Sequence, residues 1–182
     1  KIVIPQHVNE IGKSAFSDCD NLRIIEFNEN SELKSFKEDT FTNSIRCLTI
    51  PSGVEKLEDG WCIGTQYLNE VIVSPNNEMF KNFDKFVIGK SDKESEYYDV
   101  LWFACRDICT AKVPNFIRRI APYAFYQCKK LEIIEFEDKS ELKLIGTSSF
   151  SYSSIQSISI PSQVIHIEKF AFSNCDKLCS IE

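Results

Sequence analysis

The sequence predicts an α/β repeat solenoid of about seven units, with a parallel sheet on one side and short helical or 3-10 turns on the other. Two observations lead there. Apolar residues Ile4, Phe27, Ile50 and Val73 recur at steps of 23, as do Val113 and Phe136, and Ile160 follows after 24. A longer echo comes at a shift of 109, which carries Ala15-Phe16, Cys19, Leu22, Ile24 to Phe27 and Ser31 to Lys34 onto Ala124-Phe125, Cys128, Leu131, Ile133 to Phe136 and Ser140 to Lys143. Self-similarity at this period marks an array in which each unit buries its apolar side only against its neighbours.

Each element of the unit has a physical reading. The first copy runs Ile4-Pro5, Val8, Ile11-Gly12, Ala15-Phe16, Cys19, Leu22, Ile25, Phe27, and copies near Val113 and Ile160 repeat it. The closing Leu-x-x-Ile-x-Phe alternates with period two and reads as a short strand, its two apolar side chains facing the core. Stacked copies at Ile25-Phe27, Leu48-Ile50, Val71-Val73, Ile134-Phe136 and Ile158-Ile160 predict one parallel sheet. Pro5, Pro51, Pro114 and Pro161 end the strands by fixing φ and removing a ladder donor. The Ala-Phe pair predicts a helical or 3-10 turn on the opposite side. The second and sixth units replace Ile-Pro with a Ser-Glu-Leu-Lys run but keep Phe36 and Phe41, then Ile145 and Phe150; the third places Trp61-Cys62 where Ala-Phe is expected.

This wording resembles the leucine-rich repeat superfamily and, within it, the BspA-like subfamily. The resemblance covers almost the whole chain. It implies a leucine-rich-repeat-like curved array with its parallel sheet on the concave face and its turns on the convex side. It also implies a large surface protein of bacteria or parasitic protists associated with adhesion to host proteins and cells.

The fourth unit departs. From Val73 to Val113 is 40 residues, 17 more than one repeat. The two β-prone runs around Phe86 to Gly89 and Tyr97 to Phe103, joined by the polar Lys90 to Glu96, read as a hairpin insertion at about 76–108. Its aromatics either pack on the solenoid or, at Tyr97, Tyr98 and Trp102, form a contact site.

Composition narrows the function. Hydrophobic residues make up 43% of the chain, enough for a real core. The net charge is −6 and no basic cluster exceeds Arg118-Arg119 or Lys129-Lys130, which disfavours nucleic acid and anionic membrane surfaces. No run approaches the roughly 18 apolar residues of a membrane span. The chain begins and stops within a unit and shows no polar cap, so it reads as a segment of a longer protein, monomeric or weakly associated end to end.

Catalytic and metal constellations are not legible. His7 and His166 lie in the first and last units, the six glycines form no phosphate loop, and Glu26 and Glu135 sit layers apart. No cofactor or metal is expected, and no enzyme. Cys19, Cys128 and Cys175 share one repeat position and read as buried free thiols. The spacing of Cys105/Cys109 and Cys175/Cys179 is half of a zinc pattern without its other half, and a Cys105–Cys109 disulfide stays open. None of the 11 asparagines stands in an Asn-x-Ser/Thr sequon.

Binding remains. The concave face is expected to show the residues that alternate with the core: Ile24, Glu26, Cys47, Thr49, Glu70, Ile72, Thr110, Lys112, Ile133, Glu135, Ser157 and Ser159. Apolar Ile24, Ile72 and Ile133 beside acidic Glu26, Glu70 and Glu135 suit a protein partner with a basic patch. The expected role is a protein–protein interaction module at the cell surface or outside the cell. The alternative is a cytoplasmic scaffold, or a spacer that carries another domain.

Overall fold

The computed structural model describes residues 1–41 and 43–182. Its strands, in chain order, begin with β1 (Ile2–Ile4), β2 (Ile24–Phe27), β3 (Ser35–Phe36), β4 (Cys47–Ile50), β5 (Lys56–Leu57) and β6 (Glu70–Val73). The inserted region holds β7 (Phe80–Phe83), β8 (Phe86–Gly89) and β9 (Val100–Ala104). Then come β10 (Thr110–Val113), β11 (Arg119–Ile120), β12 (Ile133–Phe136), β13 (Leu144–Ile145), β14 (Ser157–Ile158), β15 (His166–Ile167) and β16 (Ser180–Ile181).

The alternating strands stack in parallel, but as two sheets and not one. The order β1-β2-β4-β6 makes the first, and β10-β12-β14-β16 the second. Register follows the repeat: Ile25 pairs with Leu48, Leu48 with Val71 and Ala111 with Ile134. All of these point inward and are buried.

The opposite side corrects the expectation of helical or 3-10 turns. Among the described residues there is no helix. A second row of short strands, two residues each except the five-residue β9, runs there instead, as β3-β5 and, in parallel, β9-β11-β13-β15. Beyond it each Ala-Phe segment forms separate turns. Tyr126 N–H donates to Tyr123 O at 3.0 Å and Cys128 N–H to Phe125 O at 3.1 Å, while Tyr123, Phe125 and Gln127 donate to Thr147, Ser149 and Ser151 of the next layer at 3.0, 2.7 and 2.9 Å. Local and axial bonds therefore alternate along the chain.

Left-handed residues four apart cause this: Ser14 and Asp18, Tyr123 and Gln127, Ser148 and Tyr152, Phe170 and Asn174, with φ between 51° and 62°. An L-residue at positive φ stops a right-handed helix and turns its neighbours' N–H groups sideways. A helix would satisfy each layer within itself and leave nothing to join it to the next. Gly60, at φ 80°, fills the corresponding place before Trp61.

The core is a column of aromatic rings. Phe125 stacks on Phe150 at 4.8 Å and 11°, and Phe150 on Phe172 at 5.3 Å and 8°. In the first half Phe16 faces Phe41, and Trp61 meets Phe36, Phe41 and Phe103 at centroid distances of 5.8, 6.2 and 5.4 Å. Trp61 thus joins the column in place of the usual Phe.

The insertion closes the break between the halves. Strands β7, β8 and β9 pair antiparallel in sequence, and β9 pairs in parallel with β11. A second hairpin, turning through Asp84-Lys85 between β7 and β8, has no counterpart in the sequence reading. Two asparagines stand in for missing backbone partners. Asn82 Oδ1 accepts from Val73 N–H at 2.9 Å and its amide donates to Val71 O at 2.7 Å, sealing the edge of β6. Buried Asn77 donates to Pro51 O and Val54 O at 2.8 and 2.9 Å and accepts from Met79 and Phe80 N–H at 2.9 and 2.7 Å.

Arg106 fills the space where the fourth unit has a shortened turn. Its guanidinium donates to Ala104 O, Ala124 O and Tyr123 O at 3.3, 2.8 and 3.3 Å and lies 4.3 Å from the centre of the Phe103 ring. Arg106 is buried, and among the described residues no carboxylate pairs with it.

Two stability predictions follow from this packing. Phe125→Ala removes a fully buried ring from the column and should lower unfolding free energy by about 3–5 kcal/mol in urea titration. Arg106→Met keeps the packing on Phe103 but withdraws the donors; it should cost about 1–3 kcal/mol, with Arg106→Ala costing more.

Candidate protein-binding face

The register places the twelve concave-face candidates on the outward side of the two long-strand sheets. One lane is Ile24, Cys47 and Glu70, then Thr110, Ile133 and Ser157 across the break. In the other, Val3 pairs with Glu26, Thr49 with Ile72, and Lys112 with Glu135; exposed Ser159 follows β14. They form two patches of six, one on each side of the insertion.

Exposed apolar side chains sit beside acids on both patches. Ile72 is 47% and Ile133 51% exposed, each two residues along the strand from Glu70 and Glu135. Strand alternation explains the neighbourhood, since residues i and i+2 share a face. Glu26 is paired with Lys1 at 2.8 Å, so the first patch carries its open negative charge at Glu70. Thr49 Oγ1 accepts from Phe27 N–H at 3.0 Å. A cleft of about 1250 Å³ opens beside the second patch, lined by Lys112, Glu135, Ser159 and the charged loops after them.

Cys47 is half-buried between Ile24 and Glu70. Burial first, then the charge and hydrogen bond of Glu70 and the charge of Glu26, push its thiol up to about 11. All eight cysteines are unpaired, Cys105 and Cys109 included. Cys128 and Cys175 are buried, whereas Cys19 is exposed, because in this chain no layer stacks over the outer side of the first unit. Among the described residues no three His, Cys, Asp or Glu side chains gather as a metal site.

Tyr97, Tyr98 and Trp102 are not brought to these patches. Trp102 lies in β9, in the second row, edge-on to Phe80 at 5.8 Å and only partly exposed. Tyr98 donates to Glu78 O at 3.0 Å and carries Lys81 4.1 Å over its ring. Tyr97 remains 64% exposed, with Arg118 5.8 Å from its ring centre. The sequence reading missed the exposed pair Phe83 and Phe116, which meet edge to face at 5.7 Å. No helix of the described residues is long and apolar enough to cross a membrane.

The family described as BspA type leucine rich repeat region matches in six copies over residues 1–87 and 98–182. Among proteins with curated descriptions, none matches in sequence. The chain is similar in structure to the pneumococcal vaccine antigen PcpA, with a TM-score of 0.78 and 22% identity over 98% of this chain and 49% of the other. It is also similar to a leucine-rich repeat protein from Eubacterium ventriosum ATCC 27560, with a TM-score of 0.54 and 16% identity over 98% of this chain and 65% of that one. The chain thus spans about half the length of the first and two thirds of the second.

The environment of Cys47 gives a prediction. Its alkylation by iodoacetamide, followed by peptide mass spectrometry, should keep accelerating with pH up to about 11, because only the thiolate reacts. Glu70→Gln should move that inflection down part of the way, since burial remains.

Proposed function

The chain belongs to the BspA-type leucine-rich repeat family, and on that footing we propose that it is a non-catalytic protein-interaction segment of a cell-surface protein, binding host or matrix proteins through its two long-strand patches. The observation that carries this reading is the repeated pairing of an exposed isoleucine with a neighbouring glutamate, Ile72 with Glu70 and Ile133 with Glu135. Apolar anchors rimmed by charge are what interfaces use: the anchors supply affinity, and the charges steer a complementary, here basic, partner. The surface location accords with a structural neighbour named as a vaccine antigen. The net charge of −6 fits a protein partner and not nucleic acid or an anionic membrane. The segment acts as a monomer or with weak end-to-end association.

The second reading, an intracellular scaffold using the same patches, is favoured by one observation: all eight thiols are unpaired. Antibody labelling of intact against permeabilised source cells separates the two. Signal on intact cells supports the surface reading, and signal only after permeabilisation overturns it.

Binding is tested by interferometry against immobilised matrix proteins. The Ile72→Ser, Ile133→Ser double variant changes two exposed side chains and should weaken binding by about tenfold or more. Unchanged affinity would remove these patches from the interface.

A further inference from the structure

The second row of strands is continuous from β9 to β15 but does not continue to β5, whose one side pairs with β3 and whose other side, among the described residues, pairs with no strand. Between the free edge of β5 and Trp102 of β9 lies a cleft of about 810 Å³. This cleft is on the opposite side of the solenoid from the patches above.

Its charges are unequally committed. Glu38 is held by Lys13 at 3.4 Å, Glu58 by Lys37 at 3.0 Å, and Glu55 by both Lys34 and Lys93 at 3.5 Å. Asp92 accepts from the backbone N–H groups of Glu94 and Ser95 at 2.9 Å each. Asp59 is the one lining carboxylate without an ion pair or such a bond, whereas Lys56 and the half-buried Arg119 make no ion pair or side-chain hydrogen bond among the described residues. An arginine that has lost part of its hydration without gaining a partner is costly, and a planar carboxylate is the group its fork fits best.

The remaining lining holds Lys90, 5.5 Å from the centre of the Tyr98 ring, Ser91, and an apolar stretch: the part-exposed Trp102 ring, set edge-on to Phe80, with Met79 and Leu57. The Lys93–Glu55 pair ties the Lys90–Asp99 loop across the mouth as a side wall.

We propose that this cleft binds an extended peptide segment in which a carboxylate side chain neighbours an apolar one. The peptide backbone lies along the free edge of β5, the carboxylate meets Arg119 and Lys56, and the apolar side chain lies on Trp102. Strand addition to an open edge supplies main-chain hydrogen bonds, and alternate side chains supply selectivity. A small sugar acid would satisfy Arg119 but would leave the β5 edge unused.

The probe is the blocked tetrapeptide Ac-Val-Glu-Val-Leu-NH2 and its glutamine counterpart, titrated while Trp102 fluorescence and amide and arginine side-chain NMR shifts are followed. Trp61 is fully buried and serves as the internal reference. The acidic peptide should bind about tenfold more tightly than its glutamine counterpart, the worth of a hydrogen bond to a charged group. Its shifts should fall on Lys56, Leu57, Trp102 and the Arg119 guanidinium. Arg119→Gln should erase the preference, and Lys129→Gln, exposed and outside the cleft, should leave it intact. Equal binding of the two peptides, shifts elsewhere, or an Arg119→Gln protein that keeps the preference would overturn the proposal. So would saturable binding of glucuronate at Arg119 without binding of the peptide. None of these outcomes bears on the long-strand patches, whose test uses other residues and other ligands.

Discussion

Each layer of this solenoid must hand its backbone N–H groups to carbonyls of the next, because a buried peptide group left unpaired costs about 1–3 kcal/mol. The strands meet this demand by ladder pairing. The turns meet it through residues held at positive φ, some of them as bulky as Tyr123 and Tyr152. Such conformations are unfavourable for these side chains, at about 1–3 kcal/mol each, and persist only where the surroundings dictate them. Here the surroundings are the axial bonds themselves, such as Phe125 to Ser149 at 2.7 Å and Phe150 to Ala171 at 2.8 Å. The aromatic column then fills the space that these bonded rings enclose.

The same demand explains the insertion. When the fourth unit lengthens, two ladders are interrupted and their edges need other partners. Asn82 meets the edge of β6, Asn77 reaches Pro51 and Val54 of the layer before, and the Arg106 guanidinium reaches carbonyls of the layer after. An amide carries both a donor and an acceptor, so asparagine can replace a peptide unit; arginine offers several donors in a plane. Among the described residues the free edge of β5 has no such substitute, and the cleft lies there.

Function follows from which groups this bookkeeping leaves outside. The outward lanes of the long-strand sheets hold isoleucines, glutamates, serines, threonines, Val3 and Lys112 at half-buried or exposed positions, with Cys47 kept as a thiol by burial and neighbouring acids. Such surfaces suit recognition by area and charge. The insertion divides them into two patches, and the Phe83–Phe116 pair, next to the Asn82 that seals β6, adds exposed apolar surface of its own.

The twelve outward residues were legible from the sequence because period two alone decides which side of a strand a residue takes, and the 23-residue step decides which residues stack. The repeat also made the inward positions readable, from Ile25 to Ile134. Three things were not legible. The turns read as helical because the Ala-Phe spacing fits a helix; Ser14, Tyr123 and Tyr152 take positive φ because a neighbouring layer waits for their N–H groups. The single expected sheet split in two because the insertion's own strands turn away into the second row. Arg106, Asn77 and Asn82 look like ordinary polar residues in the sequence, and their roles exist only once distant carbonyls surround them. By itself the sequence determined the repeat, the family likeness and the two faces of every long strand, since those depend on local periodicity. Only the tertiary structure decided how the layers are bonded and where the ladders stop, since a backbone group's partner lies a whole repeat away along the chain.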